Sequence, residues 1–460
     1  MNIFKKTFFV STLIAFLCQS CGILDQPSPN DINVETAFKT AKNAEDALIG
    51  LYASMQNRNY YGGNYVLLSE ALTDNGSVGG YDNNALDEFG TKQLTSSNIY
   101  IEKLWIACYF TIANANFLLA GLEKITDSNL TARRKAEIQG QARAIRALVH
   151  FDLLRYFGEH WDTNSDKGIP IISKIQGIKD LAGRNTVGET YTFVLSELLA
   201  AESLVDDTNR DKNFMNLLAI RALLARVYLY QKDMNKAFYY ADITINDGSS
   251  TLLDSLSFRT IYSKYNTNEE IFDLKFDSQN RSGYNGFTYS RNDALRSEVL
   301  FLASENLKFF FETRPNDLRT NLLDYANNDE SIAPDGRTQK YRGEDKQDNP
   351  AYIIRLAEVF LIRAEARGRS FGINDVNQVR VARGMAAFLQ SDLPTEADFI
   401  EAVMQERRAE LNMEGHRYFD LARTQKYAGV LQTDAFRAIL PIPLREIKAT
   451  NGLIKQNKGY

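Results

Sequence analysis

Three carboxylates, Glu406, Glu410 and Glu414, recur at a spacing of four within QERRAELNMEGHRYFDLAR (405–423). On an α-helix that spacing puts them on one face. Paired acids are the machinery of glycoside hydrolysis, which needs a proton donor and a second carboxylate on opposite sides of a sugar ring. Side chains from a single helix face cannot flank a ring, and like charges four apart repel unless they are neutralised. Arg407, Arg408 and Arg417 in the same phrase, with Arg355 or Arg363 on the preceding helix, supply that neutralisation, so a structural ion-pair network is expected.

The remaining chemistry-bearing residues form no catalytic set. His150, His160 and His416 are the only histidines, which leaves no zinc cluster, and the chain has no GxSxG, HExxH, GxGxxG or Walker loop. His150 and His416 fall within helical patterns and are expected on core or helix faces. The run DTNSDKG (162–168) resembles the start of a calcium loop, but Lys167 stands where the turn needs Gly and Ser173 where the loop needs Glu. It is read as a polar turn. No catalytic residue, metal or cofactor is therefore expected.

The elements that must position any site are helical. AIRALLARVYLYQKDMNKAFYYADITI (219–245) reads as two amphipathic helices around a turn at 231–234, with Ala225, Tyr228 and Ala237 in the small, aromatic, small rhythm of a tetratricopeptide hairpin. Such a unit cannot bury its face alone, so further degenerate pairs are expected: 44–56 with the helix starting near Leu104, 136–156 with 187–204, and 356–368 with 398–423. Residues 104–122 (LWIACYFTIANANFLLAGL) carry no charge over nineteen positions, long enough to span a bilayer. Thr111, Asn114 and Asn116 in its middle favour a helix buried among other helices, with Trp105, Tyr109 and Ile112 on a packing face. EEIFDLKFD (269–277) alternates and predicts a strand.

Between the helices run long polar stretches: 57–98 and 278–293, both rich in Gly, Asn and Tyr, and the more charged 327–349. Loops of more than about fifteen residues in a folded domain are usually functional or disordered, and the tyrosines favour function. A coarse boundary falls at 250–268, with a core shared across it.

Composition excludes some classes. Of the 460 residues, 44% are hydrophobic and 24% charged, which is ordinary for a protein with a large core. The net charge of −5 becomes −7 without Lys5 and Lys6, and no basic cluster is present, so nucleic acid is not an expected partner. Residues 1–20 have a basic start, an apolar run from Phe8 to Leu17 and small or polar residues up to Cys21, the layout of an export leader. Cys21, followed by a polar tether with Pro27 and Pro29, is expected to be acylated and to anchor the mature chain in a lipid bilayer. The third cysteine besides Cys18 and Cys21 is Cys108, which sits in an apolar run as a small buried hydrophobe.

Four phrases near the C-terminus carry a resemblance: YIIRLAEVFLIRAEA (352–366), the 405–423 segment, LPIPLREI (440–447) and the terminal QNKGY (456–460). In this order and spacing the chain resembles the SusD/RagB family of outer-membrane nutrient-binding lipoproteins. Cys21 with Leu24, Asp25 and Pro27 resembles the family's mature start. The resemblance departs at Tyr418, where Trp is more usual.

The resemblance implies a mainly α fold: four tetratricopeptide-like hairpins as a scaffold, with loop-rich insertions and a little β-structure. It divides the chain into a signal peptide (1–20), an N-terminal SusD-like region (21–250) and a C-terminal RagB/SusD region (268–460). Glu406, Arg408, Glu410, Glu414, Gly415, Phe419 and Asp420 then serve the scaffold. The implied function is capture of an oligosaccharide at the outer face of the outer membrane and its delivery to a SusC-like TonB-dependent transporter, without catalysis. Sugar rings pack apolar C–H faces on aromatic planes and give hydroxyls to polar side chains. The expected ligand residues are therefore Tyr60, Tyr61, Tyr65, Asp74, Asn75 and Tyr81 in the first loop, and Tyr284, Phe287, Tyr289, Arg291 and Asn292 in the second. The competing reading is a tetratricopeptide-type scaffold lipoprotein that binds only protein partners.

Overall fold

The nineteen-residue uncharged run becomes the middle of the long helix α4 (Ile99–Leu122), started by Asn98, whose side chain accepts from the amides of Tyr100 and Ile101 at 3.0 and 3.4 Å. It is long and apolar enough to cross a membrane, yet more than half of its most apolar stretch is buried within the fold, against α1 (Ala41–Met55) and α5 (Ala132–Phe157). Trp105, Cys108 and Ile112 point into that core, as expected. The computed structural model describes residues 34–78, 84–177, 179–208, 210–284, 301–324, 336–341 and 348–460.

Further helices are α2 (Asn64–Ala71), α3 (Asn84–Thr91), α6 (Val187–Leu204), α7 (Leu217–Gln231), α8 (Met234–Asn246), α9 (Glu305–Glu312), α10 (Leu356–Arg367), α11 (Arg369–Ala382), α12 (Glu396–Leu411) and α13 (Arg417–Arg423). The protein is mainly helical, and successive helices pack in pairs. Three expected pairs are present: α1 with α4, α5 with α6, and α7 with α8. In the last, Lys232 adopts a left-handed conformation to end α7, and Asp233 caps α8 by accepting from the amide of Lys236 at 3.1 Å.

The fourth pair differs from expectation. α10 turns at Gly368 directly into α11, which sequence reading passed over, and α12 packs on both. The helix expected over 398–423 is also broken: α12 stops at Leu411, and α13 begins at Arg417 after a turn with Met413 and Gly415 at positive φ.

Two small antiparallel ribbons join distant segments. In the first, β1 (Gly76–Val78) pairs with β3 (Phe301–Ala303), Ser77 opposite Leu302. In the second, β2 (Glu270–Leu274) pairs with β4 (Ala351–Arg355). The expected strand is present, but its alternation does not mark a wet face, since all five residues of β2 are buried. A continuous core links residues from Phe38 to Ile454, with a smaller satellite around Phe399, Val403 and Ile373.

Candidate functional site

The first-loop tyrosines fold inward. Tyr60, Tyr61 and Tyr65 converge on one carboxylate of α5, Asp152, with hydroxyls donating to its oxygens at 2.5, 2.8 and 3.0 Å. Arg155, one turn on, bonds both Asp152 and the Tyr65 hydroxyl. A buried carboxylate is costly unless its lone pairs are filled, and three phenols with one guanidinium fill them. Burial, then the charge of Asp152, pushes the Tyr60 and Tyr61 phenols well above their ordinary range, so both remain donors. Tyr284 is fully buried as well, stacked on Tyr341 with centroids 4.5 Å apart and its hydroxyl on the Tyr61 carbonyl at 2.6 Å.

The expectation that these four rings face a ligand is therefore corrected: Tyr60, Tyr61 and Tyr65 satisfy Asp152, and with Tyr284 they close the core. Tyr81, Phe287, Tyr289, Arg291, Asn292 and the lipidation candidate Cys21 lie outside the described residues.

Asp74 does border a cavity, but as a clamp, whereas Asn75 does not line it. Asp74 is gripped by Arg417 through two bonds of 2.9 Å and by Arg408 at 3.2 Å. Burial works against its charge, yet the hydrogen bonds and charges of these arginines hold its carboxyl below the usual range. Asn75 is buried, donating to Glu70 at 3.1 Å and accepting from Arg408 at 2.9 Å. The carbonyls of Asp74 and Asn75 accept from the hydroxyl and amide of Ser304 at 2.6 and 2.8 Å, which fixes the cap of α9.

The cavity so framed is open and measures about 640 Å³. Its floor is the β1–β3 ribbon and its walls are α3 and the start of α9. Gly76 belongs there because a Cβ would stand 1.9 Å from the Phe301 ring across the ribbon. Val78, Leu302 and Ala303 give it an apolar patch, surrounded by Ser77, Asp87, Thr91, Lys92, Asn306 and Glu305. Glu305 is already paired with Lys308 at 2.5 Å and Asp74 with its arginines, so much of the charge is spoken for. Burial lowers the Lys92 pKa against the opposing charge of Asp74, and its amine donates to the Gly90 carbonyl at 3.0 Å. Fixed hydroxyl-seeking groups around an apolar patch fit a neutral polyhydroxyl ligand.

One turn along α9 from Glu305, Phe309 is 64% exposed. It offers a bare aromatic face beside the cavity, and sequence reading did not select it. The available signal was the FFF run 309–311: in a one-sided short helix three successive rings cannot all point inward.

The carboxylate triad is a sealed scaffold. Glu406 accepts from Arg314, Arg319 and Arg380 at 3.0, 2.6 and 3.0 Å. Glu410 accepts from Arg319, Arg355 and Arg383, and Glu414 from Arg355, Lys340 and Tyr262. Burial opposes the ionised form of Glu410, but Arg383, Arg355 and Arg319 hold its carboxyl well below the usual range. The ion-pair reading holds, although only Arg355 among the expected partners takes part. Arg407 pairs with Asp420 at 2.7 Å, Arg408 and Arg417 with Asp74, and Arg363 with Asp242 and Asp375. The three histidines are buried, and burial lowers His150 and His160 to about 3 and His416 to about 4. The 162–168 run is a turn, with Asp162 accepting from the Asn164 amide at 3.0 Å.

Comparison with known proteins agrees with this architecture. Residues 23–229 match a SusD-like family described as starch-binding associating with outer membrane, and residues 326–434 match the SusD family. The chain is similar over its whole length to SusD-like protein P2 of Formosa agariphila, at 24% identity and covering all of that protein. A SusD-like protein of Bacteroides ovatus is 22% identical over 93% of this chain and 84% of its own. Among solved structures, a SusD superfamily protein from Bacteroides thetaiotaomicron superposes with a TM-score of 0.80 at 23% identity, over 91% of this chain and 99% of its own. A laminarin-binding SusD-like protein gives 0.78 at 22% identity, over 92% and 100%.

Proposed function

Because this chain belongs to the SusD/RagB family, we propose that it captures an oligosaccharide at the cavity between α3, the β1–β3 ribbon and α9, and performs no chemistry on it. The observation that carries this reading is the cavity itself: polar side chains held in place around an apolar patch, with Phe309 bare beside it. Ring stacking supplies affinity, and polar groups choose among stereoisomers. The relatives' descriptions, starch-binding for one family match and laminarin-binding for one structural neighbour, lend weight to a glucan.

In the same reading the chain works at the outer membrane, held by an acyl group on Cys21 and facing outward, and passes its cargo to a SusC-like TonB-dependent transporter. The rigid ion-paired frame supports this use. A carrier that hands over cargo needs a site whose shape exists before the ligand arrives, because ordering loops on binding costs affinity.

Calorimetric titration of the mature protein with maltohexaose and laminarihexaose tests the proposal. Saturable binding by at least one, weakened severalfold by Phe309→Ala and by Asp87→Ala, is expected. Binding of neither sugar, with retention of a protein partner in membrane extracts, would favour the protein-only scaffold instead.

A further inference from the structure

A second cleft lies on another part of the molecule, between the C-terminal half of α4 and the extended segment 170–176. It measures about 400 Å³ and is walled mainly by Tyr109, Phe117, Ile172 and Ile175. At 1.5 Å per helical residue, Tyr109 stands roughly 15 Å along the α4 axis from Ile99, where the Asn98 side chain donates to the Ala85 carbonyl of α3 at 2.6 Å. The cleft is thus separate from the cavity described above and shares no lining residue with it.

Its wall is fixed in place. The Tyr109 hydroxyl donates to the Pro170 carbonyl at 2.9 Å. Asn116 donates to the carbonyls of Ile172 and Lys174 at 3.0 and 3.2 Å and accepts from Arg146 at 2.6 Å. Arg146 also donates to the Ser173 carbonyl at 3.0 Å and is itself held by Glu197. The Ile172 amide donates to His150 Nε2 at 3.2 Å, while His150 Nδ1 lies 2.7 Å from the Arg146 carbonyl. Burial keeps that imidazole neutral, which is the state this arrangement of one donor and one acceptor requires. Four side chains from two helices, Tyr109 and Asn116 of α4 and Arg146 and His150 of α5, thus hold a single extended segment, more than a plain connection needs.

Against this fixed frame, the carboxamides of Asn114 and Gln176 at the cleft have no hydrogen-bond partner among the described residues. Lys174 brings the one charge. Partly exposed aromatic rings with free carboxamides around them present stacking faces and hydroxyl partners, and little that selects for an anion or a peptide backbone. Phe110, 55% exposed, extends the apolar face of α4 from this cleft. It precedes Phe117 by two helical turns, about 10 Å along the axis, roughly the span of a short run of linked pyranose rings.

We infer that this cleft is a second glycan subsite, taking one or two units of a neutral oligosaccharide and adding avidity for polymer over short chains. The inference rests on the carbohydrate reading above. Titration of the detergent-solubilised full-length protein with maltohexaose and laminarihexaose, together with retardation in gels containing starch or laminarin, tests both and separates them. The unaltered protein is expected to show two binding events with one hexasaccharide. Asn114→Ala/Gln176→Ala, and independently the cleft-filling Ala113→Trp, should abolish only the event that survives Phe309→Ala, and should reduce polymer retardation about tenfold. Both sets of changes lie at exposed or half-exposed positions, and an unchanged melting temperature confirms the fold. A single event, untouched by these changes, overturns the second subsite while leaving the first in place. Absence of any glycan binding overturns the reading on which it rests. Unchanged glycan binding with lost co-purification of a membrane protein assigns the cleft to protein docking and equally overturns the inference.

Discussion

Arg417 holds Asp74 by two parallel hydrogen bonds of 2.9 Å, Nε to Oδ1 and Nη2 to Oδ2, joining positions 343 residues apart. Through this pair the ion-paired C-terminal helices fix the rim of a cavity built largely from the first loop. Planar two-point contacts of this kind set geometry as well as energy. Asp74→Ala strands Arg417 and Arg408 in a mostly buried setting and should cost about 3 kcal/mol in urea unfolding. Arg417→Lys keeps the charge but loses the fork, so it should cost less stability while still weakening oligosaccharide binding severalfold. Unchanged stability and binding in both variants would dismiss the clamp.

The tyrosines and Phe309 should behave oppositely. Tyr61→Phe removes a donor from buried Asp152 and should cost about 1–3 kcal/mol with no change in glycan affinity once folded. Phe309→Ala removes an exposed ring and should leave the melting temperature unchanged while weakening affinity. The reverse pattern would restore the first loop as the binding surface.

These two cases show what was legible. The hairpin at 219–245 could be read because alternating Ala and Tyr at helical spacing report close packing in the local sequence. The role of Glu406, Glu410 and Glu414 could be read because one helix face cannot grip a ring from two sides. The burial of Tyr60, Tyr61 and Tyr65 could not, since what draws them inward is Asp152, some ninety residues away in sequence. Helix α11 was missed because RSFGINDVNQVRVA is polar and carries Gly372. That glycine stands where a Cβ would meet the Ala364 carbonyl at 2.2 Å, so it serves the close approach of α10, a reason visible only in three dimensions. The partners of the carboxylate triad were misassigned for the same reason: Arg319, Arg380 and Arg383 come from other segments.

A pH effect follows from Asp273 on β2. Burial, reinforced by the charge of Glu270 and by Asp211, raises its pKa from 3.8 to about 8, with Asn213 and Lys212 opposing, and its Oδ2 has no hydrogen-bond partner among the described residues. A pKa higher in the folded than in the unfolded chain means the associated stability is complete below about pH 4 and is lost as pH rises toward 8. The full shift corresponds to a loss on the order of 5 kcal/mol. Asp273→Asn should therefore raise the urea midpoint at pH 8 and change it little at pH 4. Parallel stability curves for the two proteins would refute the assignment.

Anchoring is tested by Cys21→Ala. The variant should leave the membrane fraction for the soluble fraction after export, and metabolic labelling with a fatty acid should no longer mark the chain. Retention in carbonate-washed membranes would count against acylation as the anchor.

The most direct test is a crystal structure of the mature protein with a bound hexasaccharide of the class that titration selects. Ligand density is expected over Val78 and Leu302, with hydroxyls near Asp87 and Asn306 and a sugar ring against Phe309. Density confined elsewhere on the surface, with this cavity empty at saturating ligand, would contradict the proposed binding site.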